Sequence, residues 1–202
     1  KMIQDLGFKN CITVLDSMKE LDRLLDVCST DDNIKIGIRM AIDEEPQAAY
    51  YTSRLGIRPS DIVKFYNDKI KDNPRVSLEL FHFFVDSGIK DTLYYWGVFQ
   101  KALSVYAELK KQCETLHAID LGGGLPIRNN LAFEYDYKYI VNELVRLIKE
   151  MCENEEIDDP DIYTEFGKYT VGETGAVIFK VLEAKQQNDT ETWYLIDNSL
   201  MT

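Results

Sequence analysis

Short apolar runs alternate with amphipathic stretches along this chain. Ile12–Leu15, Ile34–Arg39, Val76–Val85, Ala118–Leu121 and Asp161–Glu165 have the apolar character of strands. The stretches between them have helical spacing. Leu21, Leu24, Leu25 and Cys28 follow Ser17 and Glu20, which stand three apart as in a capping box. Pro59-Ser60-Asp61 opens a second helix through Ile62, Phe65, Tyr66 and Ile70, and Asn73-Pro74 stops it. A third is predicted over Thr92–Lys111, with Trp96, Phe99, Leu103, Tyr106 and the Lys110 stem on one face. A fourth runs from Tyr137 to Met151 through Ile140, Val141, Leu144 and Ile148.

Strand–helix alternation with apolar strands predicts parallel strands covered by helices. Five such units fit either a barrel or a doubly wound sheet. After Glu165 the pattern changes. Gly175–Glu183 and Trp193–Ile196 read as strands joined by the polar turn Gln186–Thr190, the opening of an antiparallel unit. Asn188-Asp189-Thr190 also matches a glycosylation sequon, but a hairpin turn accounts for it.

Composition narrows the function classes. Among 202 residues, 23 Lys+Arg stand against 35 Asp+Glu, a net charge of −12. Such an acidic chain has no electrostatic footprint for a phosphate backbone. Apolar residues at 45% and charged residues at 29% are ordinary globular values, so disordered and fibrous classes drop out. No apolar run approaches the ~20 residues that span a bilayer, and no basic-then-apolar leader opens the chain. Cys11, Cys28, Cys113 and Cys152 lie far apart without a C-x-x-C pair, which argues against a disulfide framework and suits a reducing cytoplasm. The start at Lys1-Met2 and the stop at Leu200-Met201-Thr202, just past a strand-like run, suggest a piece of something longer.

In a parallel barrel, chemistry gathers at the carboxyl ends of the strands. Asp16-Ser17, Arg39, Asp86-Ser87-Gly88, Gly122-Gly123-Gly124 and Glu165-Phe166-Gly167-Lys168 stand there. A triple glycine after a strand offers unobstructed N–H groups to a phosphate; it also serves as a plain turn. Ser87 can donate to the same anion and Lys168 can add a charge. Glu165 has three readings: general base, metal ligand, or partner of a protonated ring nitrogen. His82 lies inside the third strand, and His117 begins the fourth, at the wrong end for catalysis. Two histidines leave little for a histidine-based metal site, and none is expected. Walker A, G-x-G-x-x-G and G-x-S-x-G are absent, and Pro126 blocks a helix directly after the glycines.

Ala118-Ile119-Asp120-Leu121-Gly122-Gly123-Gly124-Leu125-Pro126 resembles the D-[IV]-G-G-G-[FL] segment of the ornithine/diaminopimelate/arginine decarboxylase family, which carries pyridoxal 5'-phosphate (PLP) in an alanine-racemase-like barrel. Thr164-Glu165-Phe166-Gly167-Lys168 resembles its E-x-G-R segment. Ser53-Arg54-Leu55-Gly56 resembles its S-[KR]-[FL]-G, and Ile36–Arg39 the strand before it. His82–Gly88 resembles a degraded H-[FV]-H-x-G-S-[QG]. Order and spacing match from about Ile12 to Ile178.

The resemblance implies an α/β fold, a partial TIM-type (β/α) barrel over residues 1–172, then the start of an antiparallel β domain over 173–202. It implies that Gly122, Gly123, Gly124, Ser87, Gly167 and Lys168 hold the cofactor phosphate, that Glu165 bonds the pyridine nitrogen, and that Arg39 lies near the cofactor. Phe84 takes the place of the ring-stacking histidine; a one-residue shift would give that place to His82. Negative charge left by departing CO2 is absorbed by a protonated ring, and a carboxylate buried against the nitrogen keeps it protonated. The expected reaction is arginine to agmatine and CO2 in polyamine biosynthesis, in a cytoplasmic homodimer or higher homo-oligomer, with Mg2+ as an accessory ion. Ornithine, lysine or diaminopimelate are alternative substrates. A non-catalytic regulatory homologue or a racemase-type barrel enzyme are alternative functions.

Three departures qualify the roles. Phe84 lacks an imidazole, Lys168 replaces an arginine and loses its fork, and Asp86 replaces a glycine beside the phosphate. The Schiff-base lysine of the family belongs to an earlier strand, and nothing upstream of Ile12 resembles it. The Cys-Asp and Tyr elements are missing as well. The sequence therefore reads as starting near the fourth barrel strand, with two open sheet edges and no turnover of its own.

Overall fold

The computed structural model describes residues 5–29, 32–42, 54–128 and 133–199. Five parallel strands pair in sequence order: β1 (Ile12–Leu15), β2 (Ile34–Met40), β3 (Val76–Phe83), β4 (Ala118–Asp120) and β5 (Asp161–Tyr163). Helices follow each of the first four: α1 (Met18–Val27), α2 (Pro59–Phe65), α3 (Leu93–Lys110) and α4 (Tyr137–Glu155), with α5 (Gly167–Val171) after β5. A π turn, Tyr66–Ile70, extends α2.

The helix starts are local chemistry. The Glu20 carboxylate accepts from the Asp16 and Ser17 amides at 2.6 and 3.2 Å, which opens α1. Pro59 occupies the first turn of α2, where its missing N–H costs nothing. Thr92 Oγ1 accepts from the Tyr95 amide, and Asp136 from the Tyr139 amide, at the starts of α3 and α4.

β2 and β3 lie inside the sheet, and one face of both is fully covered, while the other face of β2 carries half-buried Lys35 and Arg39. Ile34, Ile36, Ile38 and Met40 of β2, and Leu78, Phe81 and Phe83 of β3, are all buried. α3 lies against them: Tyr106 meets Phe81 edge-on at 6.3 Å between centroids, and Phe99 meets Phe83 at 6.0 Å. Its buried face is wider than the predicted stripe. Tyr95, Val98, Ala102 and Val105 are buried too, while Trp96 is half-buried and its indole N–H donates to Asp91 at 2.7 Å. α3 packs against neighbouring helices as well as the sheet, so two flanks are covered.

Several strands are shorter than their apolar runs. β3 ends at Phe83 and β5 at Tyr163, because Phe84, Val85, Thr164 and Glu165 leave the ladder to form the rim. The run from Gly175 becomes strand only at Val181. β6 (Val181–Gln186) and β7 (Thr192–Ile196) pair antiparallel. The Asn188 carboxamide oxygen accepts from the Thr190 and Glu191 amides, a turn that accounts for the Asn-Asp-Thr sequence. β1 and β5 are the sheet edges, and Val14, Ile162 and Tyr163 are exposed there. Among the described residues, no helix is long and apolar enough to cross a membrane.

Candidate functional site

The sheet register assembles the site floor. Arg39, His82, Asp120 and Tyr163 stand abreast on β2 to β5. The rim residues lie just beyond: Phe84 after β3, the glycine triplet after β4, and Glu165 after β5.

Asp120 starts the glycine turn. Its Oδ1 accepts from the Gly122 amide at 2.9 Å. Gly122 has φ 68° and Gly124 φ 94°, conformations that L side chains rarely adopt. A Cβ on Gly122 would sit 2.7 Å from the Phe83 carbonyl oxygen, and one on Gly123 2.9 Å from the Glu165 carbonyl oxygen. The Glu165 amide donates to the Gly122 carbonyl at 2.9 Å. Residue 165 therefore lies alongside the triplet through main chain alone.

The loop after β3 is tied to the same triplet. The Ile89 amide donates to the Gly124 carbonyl at 3.0 Å, which brings buried Gly88 against it, with half-buried Ser87 next in the loop. The Tyr135 hydroxyl donates to the Ile89 carbonyl at 3.1 Å. Burial, then the nearby Tyr137, pushes the Tyr135 hydroxyl up to about 12, so it stays a donor. Among the described hydrogen bonds, the Gly123 and Gly124 amides donate to none. Gly167 opens α5, its amide bonded to the Glu165 carbonyl at 2.8 Å, and Lys168 is exposed on it.

A second cluster forms at the other side of Phe84. The Arg39 guanidinium lies 5.9 Å from the Phe84 ring centroid and 3.7 Å from Asp16 Oδ1, which also accepts from the Gly56 amide at 3.0 Å. Of the two candidates for a ring-facing residue, Phe84 is half-buried at the rim and touches Gly122; His82 is 6% exposed, in the row beneath. His82 Nδ1 lies 3.3 Å from Asp120 Oδ2. Glu165 is exposed rather than buried, because it follows an edge strand.

His117 stands at the opposite end of the sheet, exposed, with Nδ1 2.9 Å from the Thr115 carbonyl. Ser53 of the S-R-L-G segment lies outside the described residues. Asp16, among the strand-end groups, and Asp120, in the glycine motif, stood in the sequence reading without a role, which the structure supplies. The signal for Asp120 was present: an aspartate two residues before a glycine is the pattern of a side-chain-closed turn.

The family described as pyridoxal-dependent decarboxylase, pyridoxal binding domain, matches residues 2–172. The chain belongs to this family. Its curated relatives include biosynthetic arginine decarboxylase of Prochlorococcus marinus (strain MIT 9215), 27% identical over 187 residues, which cover 86% of this chain and 29% of that protein. Arginine decarboxylase 1, chloroplastic, of Arabidopsis thaliana is 24% identical across 91% of the chain and 28% of the relative. The chain thus spans under a third of the length of these relatives. Among solved structures, biosynthetic arginine decarboxylase of Campylobacter jejuni superposes with a TM-score of 0.66 at 22% identity, over 93% of this chain and 32% of that one. Lysine decarboxylase of Selenomonas ruminantium gives 0.68 at 17%, over 94% and 47%. At such identities the likeness shows the fold: the five-stranded sheet is that of the family's barrel. Nothing in these matches supports Mg2+.

Proposed function

We propose that the protein is a PLP-dependent decarboxylase of a basic amino acid, arginine first among them, releasing CO2 and agmatine for polyamine biosynthesis. One observation carries the reading. The glycine triplet, the Ser87 loop and the Glu165 segment are stitched together through main-chain hydrogen bonds at one rim.

The residues present fit the cofactor. Among the described residues the Gly123 and Gly124 amides have no hydrogen-bond partner, and Cβ atoms on Gly122 or Gly123 would collide with the surrounding backbone. These amides and Ser87 would hold the phosphate, with Lys168 and the Gly167 turn adding charge and shape. Phe84 would cover a ring face and Glu165 would meet the ring nitrogen. When bound, PLP supplies an electron sink for the charge left by departing CO2. With the cofactor bound, Glu165 would hold a proton on the ring nitrogen, because an opposite charge within ~4–6 Å favours the charged form. Asp120 keeps the triplet open toward the anion by tethering the Gly122 amide. Asp16 and Phe84 hold Arg39 at the rim as a cation for an acidic group.

We read residues 1–172 as barrel and 173–202 as the start of a β domain, in a cytoplasmic homo-oligomer. Four free cysteines suit that compartment. A second reading, a regulatory homologue without turnover, is favoured by Phe84, which brings no ring nitrogen to the rim.

Purified full-length protein supplied with PLP and separately with arginine, ornithine and lysine decides the matter. CO2 release with agmatine from arginine is the expected result. Saturable PLP binding without CO2 from any of the three would favour the regulator, and absence of both would remove the cofactor reading.

A further inference from the structure

We propose that an aromatic hollow beside the glycine loop, separate from the cofactor rim, binds a free basic α-amino acid, with arginine preferred over lysine. Phe133 and Tyr135 ahead of α4, Tyr137 at its start and Tyr169 on α5 line one open cavity of about 740 Å³ together with Arg128 and Glu173.

The rings form a continuous wall. Phe133 stacks on Tyr135 at 6.3 Å between centroids, Tyr135 meets Tyr137 at 4.7 Å and 63°, and Tyr137 meets Tyr169 at 5.1 Å and 50°. The two steep angles turn the wall through corners, as in the aromatic cages that surround a cation. A positive group there can lie within about 6 Å of more than one ring centroid. The hydroxyls of the two middle rings already have backbone partners. Tyr135 donates to the Ile89 carbonyl at 3.1 Å and Tyr137 to the Pro126 carbonyl at 2.8 Å. These bonds set the rings before a ligand arrives, so little ordering is needed on binding. Tyr169 is 46% exposed on a helix of five residues, so its ring is not needed to seal the core.

Two opposite charges in the hollow narrow the ligand. Glu173 Oε1 accepts from the Arg128 amide at 3.1 Å, which holds the carboxylate beside the rings. A simple cation would be attracted by Glu173 and the ring faces but repelled by Arg128. A simple anion would meet the reverse. A molecule with a carboxylate at one end and a cation at the other complements both charges. A guanidinium suits Glu173 and the tyrosine faces better than an ammonium does, because it is planar, pairs with a carboxylate through a two-pronged fork and stacks on aromatic rings. None of the lining residues is assigned to the cofactor, so this site does not rest on the proposed function.

Calorimetric titration of the full-length, PLP-free protein with L-arginine tests it. Saturable binding is the expected result, tighter than that of L-lysine or of agmatine, which lacks the carboxylate. Tyr169→Ala and Glu173→Gln change exposed side chains, and each should weaken L-arginine binding about threefold or more. Arg128→Gln should weaken L-arginine binding to a similar degree and leave agmatine binding no weaker than before. No saturable binding, or equal binding by the folded Tyr169→Ala and Glu173→Gln proteins, overturns the site. L-lysine binding as tightly as L-arginine overturns the guanidinium preference, and equal loss of L-arginine and agmatine in Arg128→Gln overturns the place given to the carboxylate. A protein that binds L-arginine in this way but never PLP would refute the cofactor reading and leave the hollow standing.

Discussion

A Cβ placed on Gly88 would stand 2.6 Å from the Gly124 carbonyl oxygen, and one on Gly124 would stand 2.5 Å from the Gly88 Cα. Both residues have positive φ, 82° and 94°. This contact joins the loops after β3 and β4, and neither backbone can retreat without losing the Ile89–Gly124 hydrogen bond. Gly124→Ala should lower unfolding free energy by more than ~2 kcal/mol, the left-handed penalty alone being about 1–2 kcal/mol. It should also weaken PLP binding. A urea midpoint equal to wild type would show that the loops do not meet in this way.

Gly97 is the opposite case. It sits exposed inside α3, and a Cβ there would meet nothing within 4 Å. Gly97→Ala should stabilise the protein by about 0.5–1 kcal/mol, because glycine loses more backbone entropy in a helix than alanine does. Thermal or urea unfolding measures it, and a lower midpoint would contradict the packing of α3.

How much was readable beforehand differs by element, for physical reasons. The starts of α1, α3 and α4 were legible within a residue or two, because Ser17 with Glu20, Thr92 and Asp136 act on their own neighbours. Strand ends were not, since a ladder stops where its partner stops; Phe84 and Glu165 look like strand in isolation. His82 could not be assigned a depth. β3 sets polar Ser77, Glu79 and His82 among apolar residues without a clean alternation, so the pattern does not distinguish the rim from the floor, and only the register Arg39–His82–Asp120 settles it. The approach of Glu165 to the glycines is a long-range contact that no local pattern encodes. Its motif suggested the partner, and the Glu165–Gly122 hydrogen bond supplied the geometry.

Phe84 touches Gly122 on one side and the Arg39 guanidinium on the other. If it covers a cofactor ring, Phe84→Ala removes a stacked aromatic pair worth ~0.5–1.5 kcal/mol. PLP affinity should then drop roughly three- to tenfold in an absorbance titration. Phe84→His should restore most of it. An Ala variant that binds PLP like wild type would mean that another group covers the ring.

Cys152 is 1% exposed on α4, and burial first, then Asp159, pushes its thiol up to about 11. In the unfolded chain the thiol ionises near its ordinary value of about 8.5. Between roughly pH 8.5 and 11 the folded state therefore holds a proton that the unfolded state has lost. This contribution to stability is complete at neutral pH and is lost as pH rises through that window. Wild type should lose more stability than Cys152→Ala between pH 8 and 11, and iodoacetamide at pH 9 should leave native Cys152 unmodified. Equal pH slopes in the two proteins, or rapid alkylation, would show an accessible, ordinary thiol.

Glu165 tests the chemistry most directly. Its amide is fixed to Gly122 while its side chain is exposed at the rim, so Glu165→Ala should leave the backbone path and the phosphate cradle in place. What is lost is the anion opposite the ring nitrogen. Charge-assisted hydrogen bonds contribute roughly 1.5–3 kcal/mol, and the upper end corresponds to about a hundredfold in rate. In the full-length protein, kcat with arginine should fall by about a hundredfold or more while the PLP dissociation constant rises less than tenfold. Glu165→Asp, which keeps the charge on a shorter stem, should recover part of kcat. Turnover near wild type in the Ala variant would mean that some other group protonates the ring. An equal collapse of PLP binding and kcat would mean that Glu165 serves binding rather than the reaction.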